Sequence, residues 1–170
     1  QTLDNIREVL LHSGKTVEIG DTGRLSYPGM VIGCDYSNAK SISDNVEAFV
    51  FIGGGRFHAL GLALAIMKPT IVAYPYENRA YSFEDDAQRI LHKRWADIIA
   101  AEKAKNFGVI IGLKPGQIAV KAAYGIKAAL EKSGRKAILI ALREITPATL
   151  LQFPTLEAYI NTACPRIALD

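Results

Sequence analysis

Two cysteines are the side chains of this sequence best suited to bind a soft metal. Cys34 and Cys164 are the only cysteines among the 170 residues, and their wide separation excludes a CxxC redox motif and a zinc knuckle. Each lies at the end of an apolar segment, residues 28–34 and 157–164, that we interpret as a β-strand. Thiolates at two strand ends could ligate iron or another soft metal, with further ligands supplied from elsewhere. The alternative is that both are buried and unreactive, as most free cysteines are.

A glycine-rich loop is the strongest candidate for binding an anion. The loop and the first residues after it are Gly53, Gly54, Gly55, Arg56, Phe57 and His58. Three glycines let the backbone approach a ligand closely, and the helix predicted to follow them offers unpaired N–H groups to a carboxylate or phosphate. Arg56 could add a bidentate donor to a carboxylate. The loop matches neither GxGxxG nor GxxxxGK(S/T), and the alternative is a tight turn with an exposed Arg56 and a packed His58.

Gln117 and Arg143 are weaker candidates. Gln117 follows a turn at residues 114–116, where it is suited to donate to a ligand and equally suited to start a helix. Arg143 follows the apolar segment 136–142, and with Glu144 it forms either an ion pair or a solvated strand end.

Short apolar segments that alternate with amphipathic helices must position these side chains. Strands are predicted at residues 15–19, 28–34, 48–52, 70–74, 108–112, 136–142 and 157–164, and helices at 5–12, 57–67, 84–105, 117–132 and 147–152. The alternation predicts an α/β fold of two similar lobes, residues 1–105 and 106–170, with parallel sheets flanked by helices. Ligands of such sheets collect at the carboxyl ends of the strands. Trp95 lies on the apolar stripe of its helix, and we expect it in the core.

Composition narrows the classes of protein further. Hydrophobic residues make up 49% of the chain, which excludes intrinsic disorder. No apolar run approaches the roughly 18 residues of a membrane span, and a net charge of +3 is too small to predict nucleic-acid binding. The chain starts at Gln1 without a secretory signal and stops directly after an apolar segment, so we expect a fragment of a longer, cytoplasmic protein.

Several segments along the chain form a recognisable pattern. They are IGC with Asp35 at 32–35, GGGRFHALGLALA at 53–65, YPY at 74–76, RWADIIAAEKAKNFGVIIGLKPGQ at 94–117 and ACPRIALD at 163–170. Together they resemble the archaeal diphthamide-synthesis family, whose members are atypical radical S-adenosylmethionine enzymes. The resemblance runs through nearly the whole chain, and GGGRFH, GLKPGQ and ACPR are specific in combination.

The resemblance implies three similar α/β lobes around a central [4Fe-4S] cluster, with one cysteine from each lobe. Cys34 matches the second cysteine and Cys164 the third, so the chain would contain the second and third lobes and lack the N-terminal one. The implied reaction transfers a 3-amino-3-carboxypropyl group, as a radical, from S-adenosylmethionine to a histidine of translation elongation factor 2. The implied full-length protein is a homodimer that binds neither membranes nor nucleic acid.

Loop chemistry predicts where S-adenosylmethionine would bind. A glycine loop and an arginine suit its carboxylate, so we expect the cofactor beside Gly53, Gly54, Gly55, Arg56, His58, Gln117 and Arg143. Two other functions remain open. One is a non-catalytic subunit that supports a catalytic paralogue, and the other is a generic α/β module that binds a nucleotide or sugar at residues 53–55 and has unreactive cysteines.

Overall fold

Two compact α/β units make up the chain. The computed structural model describes residues 2–168, and contacts divide the chain into Gln1–Ala87 and Gln88–Asp170. Each unit contains one three-stranded sheet with helices, which confirms the predicted fold class. The contact boundary lies in the first turn of the long helix Glu84–Glu102, whereas the sequence prediction placed it after that helix, near residue 105.

The helices and strands follow one another mostly as the sequence pattern predicts. Helices α1 to α6 span Thr2–His12, Ser37–Ser41, Arg56–Ile66, Glu84–Glu102, Val120–Lys132 and Pro147–Leu150. Strands β1 to β6 span Phe49–Ile52, Thr70–Tyr74, Arg79–Ser82, Asn106–Gly112, Lys136–Leu142 and Ala158–Asn161. The predicted strands 70–74 and 136–142 have the same bounds as β2 and β5. The first is an apolar run between Pro69 and Pro75, and the second lies between Gly134 and the charged pair Arg143-Glu144.

The sheet of the first unit has the order β1-β2-β3. β1 and β2 are parallel, but β3 is antiparallel to β2. The sheet of this unit is therefore mixed and not parallel as predicted. The reason is the short connection after β2, in which Asn78 adopts a left-handed conformation with φ of 48° and turns the chain back on itself; a parallel pair would need a much longer crossover. Helix α3 packs against β1, where Leu62 and Phe49 are buried.

The sheet of the second unit is fully parallel, with the order β5-β4-β6. After Asn106, the central strand β4 is apolar and fully buried, as a strand covered on both faces must be. Helix α5 covers one face, where Ala123 packs among Val109 and Ile111. Because the chain leaves β4 for β5 and returns to the other side as β6, a crevice is expected where the carboxyl ends of β4 and β6 diverge.

Three predictions from local pattern are wrong. Residues 15–19 and 28–34 form no strand, and the second segment contains only an isolated bridge between Ile32 and Asp35. Positive φ angles at Gly23 and Gly29 bend this part of the chain into turns. Trp95 is 63% exposed rather than part of the core, because α4 buries only Ala87 among its residues in the described part of the chain.

A carboxylate joins the starts of two parallel strands in the second unit. Oε2 of Glu157 accepts hydrogen bonds from the backbone N–H groups of Lys105 at 2.6 Å and Asn106 at 2.9 Å. These two N–H groups, that of Lys105 first, hold the pKa of Glu157 below its ordinary value of 4.5.

We expect Glu157→Gln to lower the free energy of unfolding at neutral pH, since the amide keeps an acceptor oxygen but loses the charge. Folding depresses the pKa of the carboxyl, so its contribution is present above pH 4.5 and is lost as the pH falls through the folded-state pKa. The urea midpoints of the two proteins should therefore differ at neutral pH and converge in acid. Glu47→Gln, which removes an exposed carboxylate from the first unit, is the control; an equal pH dependence in both variants would contradict the assignment.

Within residues 2–168, no helix has both the length and the apolar composition that crossing a membrane requires.

Candidate functional site

Cys34 lies at the tip of a tight turn rather than at the end of a strand. Ile32 and Asp35 exchange two backbone hydrogen bonds, of 3.2 and 3.0 Å, and Gly33 and Cys34 lie between them. The thiol is free and exposed. Oδ1 of Asp35 accepts the backbone N–H of Ser37 at 2.8 Å, and the hydroxyl and the N–H of Ser37, in that order, lower the pKa of Asp35. The turn therefore presents Cys34 on a backbone that is hydrogen-bonded on both sides.

The Cys34 turn packs along helix α3. A β-carbon added to Gly33 would lie 1.9 Å from Cε1 of Phe57, and one added to Gly61 would lie 1.9 Å from the hydroxyl oxygen of Tyr36. Only glycine permits such close contacts at these two positions. Since Phe57 belongs to the first turn of α3, these contacts bring the Cys34 turn to the same helix end as the glycine loop.

The glycine loop has the backbone that its sequence predicts. Gly53 and Gly55 have φ of 144° and 98°, in the region that L side chains rarely adopt. The N–H of Gly53 donates to Ala73 at 3.1 Å, and a β-carbon on Gly54 would lie 2.8 Å from the ring of Tyr74. The loop leads directly into α3, whose first N–H groups have no acceptor within the helix. It can therefore offer backbone donors to an anion.

Arg56 already has an ionic partner. Its Nη2 lies 2.9 Å from Oδ2 of Asp86, and its guanidinium stands 5.6 Å from the ring centre of Phe83. Arg56 would therefore have to share or exchange this partner to bind a ligand carboxylate. The ring of His58 meets that of Phe57 edge to face at 5.5 Å, and its Nδ1 lies close to Gly55, so His58 is placed beside the loop.

Cys164 lies on a loop just beyond the carboxyl end of β6. Its thiol is free and half-buried. Oδ1 of Asn161 accepts the N–H of Ala163 at 2.9 Å, and Nδ2 of Asn161 donates to the carbonyl of Cys164 at 3.0 Å. The same carbonyl accepts the N–H of Ile167 at 3.2 Å.

The carboxyl edge of the second sheet brings Gln117 to the Cys164 loop. A β-carbon on Gly112, the last residue of β4, would lie 2.7 Å from Cβ of Ala163 and 3.3 Å from Cβ of Gln117. These residues pack closely together at the carboxyl ends of β4 and β6. Arg143 follows β5, on the other side of β4. Of the predicted ligand-binding residues in this unit, Gln117 is therefore adjacent to the Cys164 loop.

The two free cysteines are the described residues whose chemistry best suits an iron–sulfur cluster. Among the residues that the structure describes, no three His, Cys, Asp or Glu side chains are grouped so as to hold a metal ion. Each unit supplies one free cysteine on a hydrogen-bonded loop, and thiolates are the ligands of iron–sulfur clusters. Each cysteine taken by itself therefore has the chemistry of a cluster ligand.

Sequence reasoning missed Asn161 and Phe57. Asn161 stands two residues before Ala163 and Asp35 two residues before Ser37, the spacing at which Asn and Asp side chains accept a backbone N–H, so this local signal was available. The contact between Phe57 and Gly33 joins distant segments, and no local pattern reports it.

Fold and site together define an α/β protein that presents single cysteines on hydrogen-bonded loops, one beside a glycine-rich helix start and one beside the carboxyl ends of β4 and β6. The family model described as "diphthamide synthesis protein" matches residues 1–170. The chain belongs to this family.

Relatives in an archaeon and in animals have similar sequences. The chain is 43% identical to 2-(3-amino-3-carboxypropyl)histidine synthase of Pyrococcus horikoshii, over 99% of this chain and 48% of that protein. It is 32% identical to subunit 1 of the human 2-(3-amino-3-carboxypropyl)histidine synthase, over 84% of this chain and 32% of that protein. The chain thus spans about half the length of the archaeal relative and less of the human one.

Solved structures agree with the sequence relatives. The crystal structure of Dph2 from Pyrococcus horikoshii matches with a TM-score of 0.84 and 42% identity, over 99% of this chain and 48% of that one. The crystal structure of the same protein with a 4Fe-4S cluster matches equally well.

Proposed function

We propose that this chain forms part of a 2-(3-amino-3-carboxypropyl)histidine synthase. The reaction is the transfer of the 3-amino-3-carboxypropyl group of S-adenosylmethionine to a histidine of translation elongation factor 2, the first step of diphthamide synthesis. The observation that carries the proposal is the presentation of Cys34 and Cys164 as free thiols on hydrogen-bonded loops, in a chain 42% identical to a protein crystallised with a 4Fe-4S cluster.

The two cysteines would hold the cluster, and a further ligand would come from outside the described residues. When bound, a [4Fe-4S] cluster supplies the electron that cleaves a carbon–sulfur bond of S-adenosylmethionine. The protein binds and orients the reactants. Cys34 and Cys164 would set the position of the metal group, because their loops are held by backbone and side-chain hydrogen bonds.

The remaining predicted residues would orient S-adenosylmethionine. The N–H groups after Gly53, Gly54 and Gly55 suit its carboxylate. Arg56 would contribute a donor if it shares its guanidinium with Asp86. His58, beside the loop, would contact the same end of the cofactor, and Gln117 would contact it near Cys164. Arg143 has the least support, because it follows β5 on the other side of β4.

The proposal extends to the setting of the reaction. We place the full-length protein in the cytoplasm as a homodimer that acts on the elongation factor, without binding membranes or nucleic acid. The elongation factor is cytoplasmic, and a protein-modifying enzyme must meet its substrate there.

Anaerobic reconstitution of the full-length protein with iron and sulfide tests the cysteine roles. We expect about four irons per chain in the wild type, and a loss of most of this iron in Cys34→Ser and in Cys164→Ser. His92→Ala, which removes an exposed potential ligand on α4, should retain the iron. Wild-type iron content in either cysteine variant would overturn the ligand assignment.

A transfer assay then separates the catalytic protein from a supporting subunit. The loaded protein is incubated with reductant, S-adenosylmethionine labelled in its aminocarboxypropyl group, and elongation factor 2. We expect label on the elongation factor, and none when its target histidine is replaced. A loaded cluster without transfer would instead support the non-catalytic subunit.

A further inference from the structure

Asn161 uses both polar atoms of its side chain on the loop that carries Cys164. The carbonyl oxygen accepts the N–H of Ala163 at 2.9 Å, and the amide nitrogen donates to the carbonyl oxygen of Cys164 at 3.0 Å. The side chain is half-buried. One amide group therefore spans the turn from the last residue of β6 to the cysteine itself.

Other hydrogen bonds fix the ends of the same loop. The backbone N–H and the hydroxyl of Thr162 both donate to the carbonyl of Ile110, at 3.1 and 2.7 Å, which ties the base of the loop to β4. On the far side, the N–H of Ile167 donates to the carbonyl of Cys164 at 3.2 Å. The carbonyl of Cys164 thus accepts two hydrogen bonds, one from the side chain of Asn161 earlier in the chain and one from the backbone of Ile167 later in the chain.

The chemistry at this position calls for asparagine. An aspartate would still accept the N–H of Ala163, but a carboxylate has no hydrogen to donate to the carbonyl of Cys164. Asp35 shows the simpler case beside Cys34, since it only accepts hydrogen bonds, from Ser37. The donor half of the amide is therefore the part of Asn161 that acts on Cys164.

We propose that Asn161 is a positioning residue for Cys164, whose side-chain N–H fixes the backbone of the cysteine and thereby the direction of its thiolate toward the cluster. The inference rests on the proposed function for the role of the thiolate. The hydrogen bonds that orient the loop do not depend on the proposed function. Two kinds of measurement can therefore distinguish failure of the positioning role of Asn161 from failure of the proposed function.

The first measurement uses the full-length protein without cluster. In Asn161→Asp we expect the backbone amide of residue 163 to keep its protection from hydrogen exchange, while the alkylation rate of Cys164 relative to Cys34 changes by roughly three- to tenfold, the effect of one net hydrogen bond. In Asn161→Ala both the protection and the alkylation rate should change. The matched controls are Asn45→Asp and Asn45→Ala, at an exposed asparagine of the first unit, and both should leave Cys164 unchanged.

The second measurement uses the reconstituted protein. We expect Asn161→Asp and Asn161→Ala to shift the reduction potential and the electron paramagnetic resonance spectrum of the cluster, and the Asn45 variants to shift neither. If the wild type takes up no cluster, the proposed function fails and the alkylation rates still decide the positioning of the cysteine. If both Asn161 variants match their Asn45 controls in alkylation rate, or in potential and spectrum, the inference is overturned.

Discussion

Gly112→Ala is expected to destabilise the second unit by about 1–3 kcal/mol, the usual cost of overpacking. The new β-carbon would lie 2.7 Å from Cβ of Ala163 and 3.2 Å from the backbone oxygen of Gln117. Both atoms belong to or adjoin the backbone, so no side-chain rotation relieves the contacts. The loop after β6 must move, and Cys164 moves with it. We therefore expect a lower urea midpoint and, in the reconstituted full-length protein, a lower iron content.

The double variant Gly112→Ala/Ala163→Gly tests whether this contact is the cause. Removing Cβ of Ala163 relieves the shortest contact and leaves those with Gln117, so the double variant should regain a large part of the lost stability and iron. The coupling free energy between the two positions should be about 1 kcal/mol or more. Additive effects of the two substitutions would show that the contact with Ala163 is not the cause of the lost stability.

Gly33→Ala is expected to displace the Cys34 turn from helix α3, at a cost of about 1–3 kcal/mol. The added β-carbon would lie 1.9, 2.8 and 2.9 Å from three ring carbons of Phe57. The backbone at Gly33 is outside the left-handed region, so the expected cost is steric and does not come from strained torsions. Urea denaturation measures the cost, and the iron content of the reconstituted protein reports whether Cys34 remains in place.

A smaller side chain at position 57 should relieve the clash. Gly33→Ala/Phe57→Leu is expected to hold more iron than Gly33→Ala alone, although Phe57→Leu by itself loses some packing. Gly125→Ala is the control, because a β-carbon there meets nothing within 4 Å; in the interior of α5 it should stabilise the protein by roughly 0.5–1 kcal/mol. If Gly33→Ala behaves like Gly125→Ala, the Phe57 contact does not hold the turn.

The accuracy of the sequence-based predictions depended on whether the pattern was local. β2 and β5 have their predicted bounds because each strand is a mainly apolar run whose ends are marked by prolines, a glycine or charged residues. Residues 15–19 and 28–34 have similar runs, but the first has no regular structure and the second contains turns, since glycines with positive φ lie around them. The antiparallel direction of β3 depends on the turn at Asn78, whose conformation the hydrophobic pattern does not report.

The exposure of Trp95 shows the limit of periodicity as evidence for burial. The helical spacing of apolar residues in α4 correctly predicts a helix. Whether a stripe is buried depends on what packs against it, and in the described residues Trp95 is 63% exposed. Periodicity reports the shape of the segment and not its neighbours.

The amino-acid sequence by itself determined the α/β class, most of the elements, the two cysteines and the glycine loop with its helix. These features follow from residue types at short range, since apolar runs, glycines and caps act within a few residues. Only the tertiary structure decided that Phe57 packs on Gly33, that Ala163 and Gln117 meet at Gly112, and that Arg56 is paired with Asp86. Those contacts join segments far apart in the chain, where the position of each side chain is set by close packing and by the order of strands in a sheet, neither of which a local pattern contains.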